Sequence, residues 1–120
     1  WDVVMDRIMN EALDGPEYLY ISFDIDVLDP AYTPGTGTPE SNGLTPREIF
    51  PLIRTLCSEN QMVGFDLVEL NPLLDPGYTT VMNSGALLQE CLTGMAMRKK
   101  GIKERGYYNP LTVRDAQPDP

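Results

Sequence analysis

The sequence predicts an α/β fold, a parallel sheet flanked by helices. Two apolar runs of strand length, "EYLYISFDI" at 17 to 25 and "MVGFDLVEL" at 62 to 70, alternate with three stretches of helical period. The resulting order of helix, strand, helix, strand, helix requires crossover connections, and these join parallel strands with helices packed on the sheet's faces. Both runs are nearly continuous in apolar, β-branched and aromatic residues, the pattern of strands buried on both faces.

Residues 1 to 13, "WDVVMDRIMNEAL", place Val4, Ile8 and Ala12 on one helical stripe with Met5 and Met9 beside it. "DGP" at 14 to 16 stops the helix, with Gly15 suited to a left-handed cap and Pro16 blocking continuation. The first strand follows, and from Asp29 to Gly43 loop chemistry takes over, with three prolines and three glycines. A loop of that length in a compact domain is expected to carry function. "TPRE" at 45 to 48 starts the second helix, with Thr45 as N-cap, Pro46 at the first helical position and Glu48 closing a capping box. That helix is expected to run to about Asn60, with Pro51 kinking it or loosening its first turns. After the second strand, "NPLLDPGY" forms a loop. Thr79 to Lys100 then form a long helix with Val81, Gly85, Leu88, Leu92 and Met95 on one stripe. The period is lost after Gly101, so 101–120 read as an extended tail following a folded portion over 1–100.

The composition excludes several function classes. A chain of 120 residues, 42% hydrophobic, supports one modest core. Its net charge of −9 lacks the basic face of a nucleic-acid binder and favours cationic ligands or metal ions. No apolar run is long enough to span a membrane and no signal peptide opens the chain, so the expected location is cytoplasmic. Cys57 and Cys91 sit in helical apolar patterns and read as buried free thiols, and the six methionines read as core packing. The chain contains no histidine, which removes an imidazole base, a Ser-His-Asp triad and a histidine-rich zinc site.

The candidate chemistry lies at the strand ends, where sites of parallel sheets collect. Alternation along a strand puts Asp24 and Asp26 on one side with Ile25 on the other. Two carboxylates so held repel unless a proton or cation lies between them, and carboxylate oxygens suit hard or borderline divalent ions. Asp29, in "DP", reads as a turn former. A phosphoaspartyl hydrolase shares the D-x-D pattern but wants Thr or Val where this chain has Leu28. A nucleotide-sugar transferase shares it too, yet the following loop shows no diphosphate cradle.

The stretch "SFDIDVLDPAYTPGTGTPE", Ser22 to Glu40, resembles the signature of the ureohydrolase family, which includes arginases, agmatinases and guanidinobutyrases. The resemblance continues through "NGLTPRE" and "GFDLVELNP", covering about residues 18 to 98. It implies the three-layer arginase-like fold, of which this chain holds the carboxyl-terminal part. It also implies a dinuclear manganese centre, with nickel in some relatives, in which Asp24 bridges both ions and Asp26 ligates one. Glu69 is then the acid that meets the substrate guanidinium, and Thr38 lines the substrate site. The implied activity is hydrolysis of a guanidino compound by a metal-activated hydroxide, releasing urea. Agmatine is the preferred substrate because "PGTGTPE" with Glu40 resembles the agmatinase-like branch, which would place the protein in polyamine metabolism; guanidinobutyrate and guanidine are the alternatives. Asp66 reads as an acid supporting the site from behind or as purely structural, and Glu40 as a loop charge within reach of a substrate's tail.

The family's D-x-H-x-D motif and its proton-transferring histidine are absent here. The first helix also lacks a start, so the chain is expected to be a carboxyl-terminal portion that binds metal weakly and turns over no substrate alone. The full-length protein is expected to be a homo-oligomer, with Tyr107 and Tyr108 placed to touch a neighbouring subunit. Two competing expectations are a ureohydrolase-like binding or assembly protein without a metal centre, and a simple acidic Mg²⁺ or Ca²⁺ domain.

Overall fold

The computed structural model of the chain describes residues 2–102. Tyr107, Tyr108 and all but the first two positions of the expected tail lie outside the described residues. The elements are α1 (Asp2–Leu13), β1 (Leu19–Asp24), α2 (Pro46–Glu59), β2 (Met62–Val68) and α3 (Thr79–Lys99), with short 3-10 turns at Ile25–Val27 and Pro72–Leu74. β1 and β2 pair in parallel, with Ile21 opposite Phe65, Phe23 opposite Leu67 and Asp24 opposite Val68. The predicted order and strand direction are both present.

One expectation about the strands is corrected. They are covered on one face only among the described residues: Phe23 is buried, while Tyr20, Ser22 and Asp24 on the other face are exposed. Ile21, Phe65 and Leu67 pack against a core built from Met9, Phe23, Ile25, Leu28 and the inner faces of α2 and α3. α1 contributes chiefly through Met9, 1% exposed, whereas Val4 of the predicted stripe is 46% exposed.

α2 begins as its sequence requires. Glu48 accepts hydrogen bonds from the backbone N–H and the hydroxyl of Thr45, closing the capping box, and these donors hold the Glu48 carboxyl below its ordinary pKa. The helix runs unbroken through Pro51 rather than fraying there. The missing Pro51 N–H frees the carbonyl of Arg47, and Arg47 is exposed, so water can serve that group.

In α3 the buried stripe is not the predicted one. Thr80, Ser84, Leu87, Cys91, Gly94 and Met97 are buried, with Cys91 and Gly94 against α2, while Val81, Leu88, Leu92 and Met95 are exposed. Close helix packing selects small residues at the contact. A Cβ on Gly94 would come within 2.4 Å of the Arg54 carbonyl oxygen and 2.7 Å of Cys57 Cβ. Because the obstacle is backbone, Gly94→Ala is expected to destabilise by about 1–3 kcal/mol despite alanine's better helix propensity; an unchanged denaturation midpoint would contradict this. Arg54 and Glu90 form a partly buried ion pair across the same interface, with Arg54 Nη2 2.6 Å from Glu90 Oε1.

The Cys57 thiol, fully buried, donates to Cys91 Sγ at 3.1 Å. Burial, and secondarily the neighbouring Cys91, pushes the Cys57 thiol well above its ordinary pKa. A thiol kept protonated and dry is a poor nucleophile. Maleimide at neutral pH should therefore leave both cysteines unlabelled in the native protein and label both after denaturation; equal labelling in the two states would refute the packing.

Candidate active site

β1 stops at Asp24 because that residue caps the following turn. Its backbone is extended (φ −87°, ψ 123°) and its Oδ1 accepts the Asp26 N–H at 3.1 Å. Asp26 therefore lies in a 3-10 turn, not on a continuing strand. Alternation is the wrong reason for the pairing of these acids; the turn folds Asp26 back onto Asp24. Removal from water, together with the facing Asp26 carboxyl, pushes Asp24 above the ordinary carboxylate pKa, against the opposing effect of the Asp26 N–H.

The loop after this turn is pinned at both ends. Asp29 N–H donates to Leu44 C=O at 2.9 Å, and Leu44 N–H donates to Val27 C=O at 2.9 Å. The Asp29 carboxylate accepts the N–H groups of Ala31 (2.9 Å) and Asn42 (2.8 Å), which hold its pKa below the ordinary value. Asp29 thus serves as a turn former. Within the loop, the Thr38 hydroxyl donates to Asp26 Oδ2 at 2.7 Å. Thr38 therefore touches one of the two candidate ligands directly. Glu40 lies exposed two positions further on.

β2 brings the third acid to the same end of the sheet. Val68 pairs with Asp24, so Glu69 follows immediately beyond that pair. β2 ends at Val68, short of the predicted Leu70, and Glu69 takes a positive φ of 63°. A residue with a Cβ adopts that conformation uncommonly and at a small energetic cost, which its surroundings must offset.

Asp66 is committed to the sheet. It lies opposite Ser22, whose hydroxyl donates to its Oδ1 at 2.7 Å, and the Tyr20 hydroxyl donates to its Oδ2. These donors hold Asp66 below the usual carboxylate range. Of its two sequence readings, the cross-strand structural role fits.

The sequence reading missed Asp75 and Thr80. Asp75 is 2% exposed and Thr80 fully buried, where the link after β2 enters α3. "DPGYT" reads as plain turn chemistry; the signal that could have marked it is an Asp five residues before a Thr at a helix start.

Among the described residues, no three His, Cys, Asp or Glu side chains converge to hold a metal ion. The donor chemistry of Asp24 and Asp26 nevertheless fits part of a divalent site. Both supply hard oxygen ligands, and one oxygen of each is fixed by a protein donor. A pocket of about 240 Å³, lined by Asn60, Met62, Met95 and Arg98, lies at the opposite end of β2, away from these acids.

Acids at the carboxyl ends of two parallel strands, one of them bonded to a long pinned loop through Thr38, define an α/β protein with a candidate strand-end site. The Arginase family matches over residues 1–94, and the chain belongs to that family. It is 48% identical over 89 residues to the mitochondrial agmatinase of Gallus gallus, covering 74% of this chain and 25% of that protein. It is 48% identical over 81 residues to the mitochondrial guanidino acid hydrolase of Homo sapiens, covering 68% and 23% respectively. A crystal structure of a hypothetical agmatinase from Burkholderia thailandensis superposes with a TM-score of 0.75 at 33% identity, over 83% of this chain and 31% of that one. The chain spans about a quarter of the length of these curated relatives.

Proposed function

We propose that this chain is part of a ureohydrolase that hydrolyses a guanidino compound and releases urea, and that it contributes the strand-end acids to the site of a longer protein. The observation that carries the proposal is that strand register and the turn after β1 bring the backbones of Asp24, Asp26 and Glu69 to one end of the β1–β2 pair, inside the segment that matches the family. Names of relatives at similar identity, agmatinase and guanidino acid hydrolase, support the guanidino class.

In this reading Asp24 and Asp26 hold a pair of divalent cations, manganese first, with further ligands outside this chain. When bound, the cations supply Lewis-acid activation of the attacking water. The protein's own residues do the rest of the positioning. Thr38 fixes one oxygen of Asp26 and so sets the orientation of that carboxylate. Glu69 accepts the guanidinium's planar fork through paired charge-assisted hydrogen bonds and holds its carbon in place for attack. A histidine acting as general acid or base would come from outside this chain, which has none.

Agmatine is the proposed substrate, with Glu40 facing its free ammonium end. Glu40→Gln in the full-length protein is expected to raise KM for agmatine about twofold to fivefold, the worth of an exposed ion pair, and to leave KM for guanidinobutyrate unraised. An equal effect on both substrates would remove Glu40 from substrate choice. Metal analysis of the full-length protein, followed by a guanidino panel scored for urea, tests the activity itself: bound manganese with urea release supports it, and a metal-free, inactive protein favours an assembly role.

A further inference from the structure

Three separate segments meet at one buried point behind the candidate site. Asp75 Oδ1 accepts the Thr80 N–H at 3.1 Å and the Thr80 hydroxyl at 3.0 Å, and its Oδ2 accepts the Val81 N–H at 3.0 Å. Thr80 Oγ1 in turn accepts the Gly35 N–H at 2.7 Å, and the Gly35 carbonyl accepts the Asn71 N–H at 2.8 Å. The contact leaves no room for a side chain: a Cβ on Gly35 would fall 2.5 Å from Asp75 Cβ and 2.9 Å from Thr80 Oγ1. An acid that only capped α3 would need the Thr80 and Val81 amides alone. Here the cap extends through the Thr80 hydroxyl into the loop over 29–43.

The two ends of this chain of bonds lead to the proposed site. Thr38, bonded to Asp26, lies three residues after Gly35. Glu69, with its positive φ, lies two residues before Asn71. Resting on the ureohydrolase reading above, we infer that Asp75 and Thr80 are positioning residues: one buried clasp registers Glu69 against the Thr38–Asp26 pair and holds the Glu69 backbone in its left-handed conformation. Burial by itself raises the Asp75 pKa, and the donors from Val81, Thr80 and Thr79 overcome this and hold it below the ordinary value, so the clasp's acceptor is ionised at neutral pH.

The test uses the full-length manganese-loaded protein with Thr80→Val, Thr80→Ser and Asp75→Asn, the last keeping the shape of the cap should Thr80→Val fail to fold. Amide hydrogen exchange at Gly35 and Asn71 reads the clasp directly, and kinetics on agmatine and guanidinobutyrate read its effect. Thr80→Val and Asp75→Asn are expected to speed exchange at Gly35 and to lower kcat/KM about tenfold to a hundredfold, the scale of a small misplacement. The loss should lie mainly in KM, with metal content unchanged, and Thr80→Ser should behave as wild type. Faster exchange with KM unchanged would make the clasp a stability device only, and unchanged Gly35 exchange would remove it; either overturns the inference while the ureohydrolase reading stands. A wild-type protein that hydrolyses no guanidino compound overturns both.

Discussion

Asp24→Asn in the full-length protein is expected to abolish urea release and to weaken manganese binding by more than the roughly 10- to 100-fold that loss of an outer-shell partner costs. The substitution is nearly isosteric, and an asparagine Oδ1 can still cap the turn by accepting the Asp26 N–H, so the fold should survive. What is lost is the negative charge beside Asp26. In the metal-free protein that charge is a liability, since removal from water and, after it, the facing Asp26 carboxyl raise the Asp24 pKa. Asp24→Asn should therefore leave the metal-free protein as stable as wild type or more so, while removing the stabilisation that manganese gives. Thermal melts with and without manganese separate the two effects. A variant that melts below wild type without metal, yet gains equally from manganese, would place the cation elsewhere.

The second large effect is expected at Glu69. Glu69→Gln keeps the size of the side chain and exchanges a charge-assisted fork for neutral hydrogen bonds. Glu69 is exposed among the described residues, so the size of the effect depends on the bound substrate burying the pair. Removing one partner of a charge pair so buried costs about 2–5 kcal/mol, and kcat/KM for guanidino substrates should then fall about 30-fold to several thousandfold. Manganese content should not change. Glu69→Gly provides the internal control, because glycine accepts the backbone φ of 63° without strain. Both variants should lose activity; retention in either would mean that the acid group is not what binds the guanidinium.

How far the sequence disclosed this arrangement depends on the range of the interaction. Local signals read well. The Thr45/Glu48 capping box and the apolar strand runs each depend on residues within a few positions of one another, and the long motif from Ser22 to Glu40 pointed to the family directly. Asp29 read correctly as a turn former for the same reason. Asp24 and Asp26 are neighbours as the sequence suggests, but through a tight 3-10 turn rather than strand alternation, since both bring a residue and its second neighbour together.

What failed to read was set by partners distant in sequence. Which stripe of α3 faces α2 is decided by how closely the helices approach at Gly94, and the more apolar stripe is the exposed one. Asp66 could not be assigned until strand register placed Ser22 opposite it and Tyr20 within reach of its carboxylate. Asp75 and Thr80 escaped because their importance lies in a bond to Gly35, 45 residues away from Thr80. The uncovered face of β1, by contrast, follows a local pattern that the apolar run masks: Tyr20, Ser22 and Asp24 alternate with Leu19, Ile21 and Phe23.

Anomalous diffraction from crystals of the full-length protein loaded with manganese and a guanidino ligand examines the arrangement of the acids most directly. The expected map has manganese within coordination distance, about 2 Å, of carboxylate oxygens of both Asp24 and Asp26, with the guanidinium seated on Glu69. Manganese bound away from these aspartates, or a guanidinium held by other residues while Glu69 points to solvent, would contradict the proposed site.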